Sequence, residues 1–190
     1  DVDAAAWHGL LKKTRLSGEL KVQASASTQA VQAQVRDPRF RLDLDATRSG
    51  EAVRIADARV SSKGGSLAVK GEVTPGKTYA LEGQLKDFDP SQFVDVPRAR
   101  LNAGLTAQGT FGEQTTADLH FLLQDSVFAG HPLAGKGDVL LRGQERASAD
   151  LWLRTGDNRI EARGGLGAPT DTLTVTIAAP RLDQIGFGGS

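Results

Sequence analysis

DARVSSKGGSLAVKGEV, residues 57–73, and DLWLRTGDNRIEARGGL, residues 150–166, carry one pattern twice. At a displacement of 93 residues Asp57 falls on Asp150, Ala58 on Leu151, Val60 on Leu153, Leu67 on Ile160, Val69 on Ala162 and Gly71 on Gly164. In each copy, apolar and polar residues alternate on either side of a short polar turn, Lys63-Gly64-Gly65 or Thr155-Gly156-Asp157. Period two sends successive side chains to opposite faces of a strand, so each arm reads as half buried. Links this short favour antiparallel neighbours.

Working outward, VQAQVRDPRF (31–40) matches LHFLLQDSVF (119–128) at a displacement of 88, with Asp37 over Asp125 and Phe40 over Phe128. Downstream, LEGQLKDFDPSQF (81–93) matches LTVTIAAPRLDQI (173–185) at 92. The chain therefore divides into a lead-in (1–15), a first β-repeat (16–97) and a second (98–190) sharing one continuous sheet and core. Such repeats bury their apolar faces against their neighbours, and they serve more often as scaffolds, binding surfaces or conduits than as catalytic pockets.

The same alternation covers most of the rest. Leu16, Gly18, Leu20, Val22 and Ala24 share a face against Ser17, Glu19, Lys21 and Gln23; Phe40, Leu42, Leu44 and Ala46 share one against Arg39, Arg41, Asp43 and Asp45. About a dozen strands result, punctuated by Asp37-Pro38, Lys63-Gly64-Gly65, Thr74-Pro75-Gly76 and Thr155-Gly156-Asp157. Helix is expected only over 3–14 and as one turn after Asp89, with Asp89 capping and Pro90 in the first helical position. Pro180 opens the matching stretch of the second repeat.

The fold class is all-β: an antiparallel repeat array curled into a trough with an apolar concave face, or alternatively a two-sheet β-sandwich. The inward face is aliphatic and small, and the whole chain holds only 7 Phe, 2 Trp and 1 Tyr. Two opposed sheets must fill a layer roughly 10 Å thick, which bulky aromatics do best, whereas a curled sheet with a smooth apolar lining manages without them; aromatic-poor sandwiches also exist, so composition leaves both open.

Composition narrows the chemistry. With 23 Lys and Arg against 23 Asp and Glu, scattered and not striped, no bulk field attracts nucleic acid. Cysteine is absent, so there is no disulfide framework. No apolar run approaches the length of a membrane span, and DVDAAAWHGLL lacks the basic region of a signal peptide. Beginning in mid-pattern and stopping at GFGGS, the sequence reads as a piece of a longer protein.

Sharper features resolve into ordinary ones. His8, His120 and His131 share no metal-ligand spacing, and His120 falls on the polar side of its strand. Asp87, Asp89 and Asp95 lack the glycine and terminal glutamate of a calcium loop. Gly64-Gly65 and Gly164-Gly165 open no helix and read as turns or bulges, not phosphate cradles. No serine sits in a nucleophile elbow. Trp152 points outward, to an edge or a neighbouring repeat. Neither a metal, a cofactor nor an enzymatic constellation is expected.

Three segments carry a resemblance: Ala134-Gly135-Lys136-Gly137; Leu151-Trp152-Leu153-Arg154-Thr155-Gly156-Asp157-Asn158 through Gly164; and Asp171-Thr172-Leu173 through Ala179-Pro180-Arg181-Leu182. This cycle resembles the periplasmic region of TamB-type proteins in the AsmA-like superfamily, well over 101–185 and more loosely over 16–97. The first repeat departs from it in having Lys63-Gly64-Gly65 for the Gly-Asp-Asn turn and Phe88-Asp89-Pro90 for Ala-Pro.

The resemblance implies a long curled sheet, a β-taco, with a hydrophobic groove. It implies anchorage at the inner membrane, a span across the periplasm, transfer of phospholipid between the membranes, and an outer-membrane barrel partner of the BamA class (TamA-like). The chain would be an interior section of that conduit. Its partners would be phospholipid acyl chains, lining Leu42, Leu44, Ile55, Val60, Leu67, Val69, Leu81, Leu119, Phe121, Leu123, Leu151, Leu153, Ile160, Val175 and Ile177. Without the resemblance each of these reads first as core packing in an ordinary sandwich; with it, as groove lining. The alternative function is a structural module of outer-membrane protein assembly, acting by pairing at a strand edge.

Overall fold

The computed structural model describes Lys12 and residues 14–112, 115–143 and 146–185. Twelve strands form one antiparallel meander, each paired only with its neighbours in sequence. They are β1 (Ser17–Ala24), β2 (Thr28–Asp37), β3 (Phe40–Ser49), β4 (Ala52–Ser62), β5 (Gly65–Val73), β6 (Thr78–Phe88), β7 (Ala99–Thr110), β8 (Thr116–Phe128), β9 (His131–Arg142), β10 (Arg146–Thr155), β11 (Asn158–Leu166) and β12 (Leu173–Ala178). The expected turns fall between these strands. Residues 3–11, most of the expected lead-in helix, lie outside the described residues, as does His8; Lys12 and Thr14 are not helical.

Among the described residues no second sheet packs on the first, which removes the sandwich alternative. The physical reason is visible in burial: among the described residues Ala103 is the only hydrophobic residue that counts as buried, and it is still 8 % exposed. A chain with few aromatics lacks the bulk to fill an interlayer, and its apolar side chains instead pack sideways within one face.

Register exposes a six-strand periodicity. Leu42 pairs Val60 and Val60 pairs Leu67 in the first half, as Gly135 pairs Leu153 and Leu153 pairs Ile160 in the second. Likewise Leu67 pairs Leu85, and Ile160 pairs Ile177. The displacement of 88 holds for β2 against β8, where Val35 and Leu123 occupy equivalent places, but not for the two phenylalanines. Phe40 begins β3, whereas Phe128 ends β8, and Leu133 is the structural equivalent of Phe40. A longer β8 accounts for the difference.

Bulges bend this sheet. Register shifts interrupt β6–β7 between Leu85 and Phe88, β7–β8 between Arg100 and Ala103, and β8–β9 between Leu123 and Ser126. The bulge residues Asp87 and Asp125 adopt positive φ, 47° and 48°. Asn102 ties them together: its Oδ1 accepts the Asp87 N–H at 2.9 Å and its Nδ2 donates to the Asp125 carbonyl at 3.1 Å. Its own N–H donates to Ser126 Oγ at 2.8 Å, which returns a bond to the Asn102 carbonyl at 3.0 Å. Ser126 is thereby buried without an orphaned hydroxyl. Aligned bulges fold a twisted sheet across its strands, which is how a flat ribbon becomes a trough.

Candidate functional site: the apolar face

Cross-strand partners share a face, so register alone says which side chains lie together. One row runs Val35, Leu42, Val60, Leu67, Leu85, Ala103, Leu123, Gly135, Leu153, Ile160, Ile177. The next runs Leu20, Ala33, Leu44, Ala58, Val69, Gly83, Leu105, Phe121, Gly137, Leu151, Ala162, Val175. A third holds Ile55, Gly71, Leu81, Ala107 and Leu119. Every candidate lining residue named from the sequence lies in one of these rows, on one face of the sheet. Leu85, Leu105, Val139 and Leu173 join them; extending the same alternation would have found them.

The face is small-residue by necessity. A Cβ built on Gly137 would stand 2.4 Å from Leu151 Cβ and 2.7 Å from Phe121 Cε1, and one on Gly135 would stand 2.5 Å from Leu153 Cδ2. Neighbouring side chains lie down over the β9 backbone because nothing rises from it. Glycine in a strand marks such a close approach.

One long margin of this face is covered. After β6 the turn Pro90–Gln92 is capped by Asp89, whose carboxylate accepts the Ser91 N–H at 3.0 Å. Phe93 then stacks 5.4 Å from Phe88 and tilts at 5.1 Å against Phe40. Burial works to raise the Asp89 pKa, but donation from Ser91, Ala99 and Gln92 outweighs it and holds the carboxyl below its ordinary range. Asp37 behaves the same way: burial opposes, while Arg39 and the N–H groups of Arg15 and Arg39 bring it down.

After β12 the turn Leu182–Ile185 sits at the same margin. There Gln184 Oε1 accepts the Asp157 N–H at 2.9 Å, and Asn158 bonds both the carbonyl (2.7 Å) and the N–H (3.0 Å) of Arg181. Asn158 and Gln184 are buried, 4 % and 8 % exposed.

The opposite face is polar and ion-paired. Lys70 meets Glu82 at 2.9 Å and Arg163 meets Asp150 at 3.3 Å across neighbouring strands, while His120 contacts Asp138 and Arg142 contacts Asp118. Arg142 donates to Asp118 and lowers its pKa. A hollow of about 920 Å³ opens between β4 and β9, lined by Arg54, Lys70, Asp118 and His120 together with Ile55, Leu81, Ala107 and Leu119. The sequence reading missed it, because it is made by register and twist and not by any motif; a twisted sheet is hollow along one diagonal on each side. Trp152 also belongs to this face, with the Arg159 guanidinium 5.9 Å above its ring. Among the described residues, no group of His, Asp and Glu is placed to hold a metal ion, and no helix is long and apolar enough to cross a membrane.

No curated protein and no solved structure matches the chain. A family model does, over residues 6–189, and its description is the N-terminal domain of TamB. That corrects the placement as an interior section: a cycle that repeats along an array identifies the array but not the position within it. With nearly its whole length matched, this chain belongs to the TamB family, in the N-terminal domain.

Proposed function

We propose that the chain is a section of a periplasm-spanning lipid conduit in which the apolar face of the sheet covers phospholipid acyl chains while their headgroups stay in water. One observation carries the reading: an apolar face continuous across the sheet with no second layer upon it. Exposing a methylene to water costs about 0.8 kcal/mol, so a lipid tail crosses an aqueous gap only when covered. A face of Leu, Val, Ile, Ala and Gly supplies cover without a hydrogen bond to hold the lipid in place. No covalent chemistry is required of this section. In the full-length protein, membership of the family supports a periplasmic setting and an outer-membrane barrel partner of the BamA class.

The test is native mass spectrometry of the chain purified from a bacterial periplasm, paired with lipid extraction of the same sample. Phospholipid is expected with the unaltered chain and is expected to be lost in Leu67→Asp and Leu153→Asp variants whose circular dichroism remains β-rich. A lipid-free unaltered chain that also fails to accept phospholipid from vesicles overturns the proposal. A second reading, capture of a partner strand at the sheet edge, is favoured by β1, which is exposed at every residue. It predicts indifference to the Leu67 and Leu153 substitutions.

A further inference from the structure

Beside the turn that follows β6 lies a cleft of a single sign of charge. It measures about 360 Å³ and is lined by Lys12, Arg39, Ser91, Gln92 and Arg98: three cations, two neutral polar residues and no carboxylate. Such a cleft concentrates anions. The turn itself gathers the cations. Lys12 Nζ donates to the Ser91 carbonyl at 2.8 Å, Arg39 Nη1 reaches the Gln92 carbonyl at 3.4 Å, and the Lys12 N–H donates to the Phe93 carbonyl at 2.8 Å. Two cationic heads are thereby hung on successive carbonyls. Arg98 is brought in by the start of β7, where the Asp89 carboxylate accepts the Ala99 N–H at 3.1 Å.

The neighbouring carboxylates leave much of this charge in place. Asp37 offsets Arg39 in part and fixes its guanidinium, accepting Nε at 2.9 Å. Asp89 accepts only neutral donors, from Ser91, Gln92 and Ala99. Asp95 meets Lys12 at 3.2 Å, but its side chain is 93 % exposed, so water screens the pair. Arg98 is exposed and, among the described residues, has no ion-pair partner. Arg39 precedes Phe40 and Gln92 precedes Phe93, so the cleft adjoins the ring cluster that ends the apolar face. The second half has no counterpart of Arg39: Pro132 stands there, one residue before Leu133.

Resting on the conduit reading for the source of the ligand, we propose that this cleft binds the phosphate of a phospholipid headgroup whose acyl chains lie on the apolar face beyond Phe93. Guanidinium and ammonium groups are the donors that phosphate oxygens match best. The phenylalanine cluster then covers the stretch where the tails leave the headgroup. On a face that otherwise offers the lipid no polar contact, this is the place where a headgroup is held. The exposure of Arg98 and of the Lys12–Asp95 pair keeps that hold screened, and so weak enough to release.

Native mass spectrometry titrates the chain with dioctanoyl phosphatidylglycerol and with dioctanoylglycerol, which has the same tails and no phosphate. The phospholipid is expected to bind about tenfold more tightly. Arg98→Gln and Lys12→Gln are each expected to bring it down towards dioctanoylglycerol while leaving dioctanoylglycerol binding intact, with circular dichroism verifying the fold. Arg54→Gln, an equal loss of charge near the opposite margin, is expected to keep the preference. Glycerol phosphate, followed by phosphorus NMR, is expected to bind more weakly than the phospholipid. Equal binding of the two lipids overturns the proposal and leaves the conduit reading standing. A preference that survives both cleft substitutions, or that vanishes in Arg54→Gln, overturns it too, as does glycerol phosphate bound as tightly as the phospholipid. Binding of neither lipid is a separate result: it removes the conduit reading, and this assignment with it.

Discussion

After β6 the chain turns at Pro90–Gln92 and lays Phe93 between Phe40 and Phe88; after β12 the turn at Leu182–Ile185 drives the amide of Gln184 against Gly156, Asp157 and Asn158. Both turns follow the sixth strand of a half and fold back to the same margin of the sheet, and Gln92 and Gln184 match at a displacement of 92. What differs is the adhesive. The first half closes by stacked rings laid over a turn whose backbone the Asp89 carboxylate caps. The second closes by a buried amide network, which contributes only while every member is paired. A Gly-Gly turn offers no side chain to bond, so the first half uses rings; an Asp-Asn turn offers carboxylate and amide, so the second half uses those.

The largest break in this comparison is expected from Phe93→Ala. Loss of a half-buried ring contacting two others costs about 2–3 kcal/mol. Thermal unfolding should report that loss, and hydrogen exchange should place it in β3–β6, leaving β10–β11 protected because distant sites behave independently.

Asn158→Ala is the mirror experiment. It removes the side-chain acceptor of the Arg181 N–H and one of two donors to the Arg181 carbonyl, the Gln184 N–H remaining as the other, and should cost about 1–2 kcal/mol, with faster exchange confined to β10–β12.

Acid sharpens the contrast. Asp37 and Asp89, both in the first half, have folded pKa values below their unfolded ones. Their stabilisation is therefore fully present above the ordinary Asp value of about 4 and is lost as pH falls through the lower folded values. The Phe93 turn should open on acidification before the Gln184 turn does, as followed by exchange at low pH. Asp118 shifts the same way in the second half, but its pair with Arg142 is exposed and screened.

The smallest effect belongs to the polar face. Lys70→Ala removes an ion pair whose side chains are both about two-thirds exposed, and a change within about 0.5 kcal/mol is expected in denaturant unfolding.

Period-two alternation made the strands readable one by one, and glycine-containing turns made their order antiparallel. The Asp89-Pro90 turn was equally legible, since a capping carboxylate before proline has few other uses. Legibility stopped where two strands had to be compared. Asn102 looks like any polar strand residue until register sets it beside Asp87 and Ser126. Phe40 and Phe128 align as letters because both follow an Asp by three, yet one opens a strand and the other ends one. The hollow between β4 and β9 has no sequence signature, since its walls come from different strands. The shared face of the candidate lining residues was readable from parity alone; the openness of that face was not, because it depends on the absence of a second layer.

The meander has a mechanical consequence. Each strand bonds only to its neighbours in sequence, so a pull along the array, across the strands, loads all the ladders in series. The weakest ladder then sets the strength of the whole, and the shortest is β11–β12, with six paired residues. Tension between the two ends of such a sheet would peel its last strand before it tore the bulged middle, where Asn102 stitches three strands together.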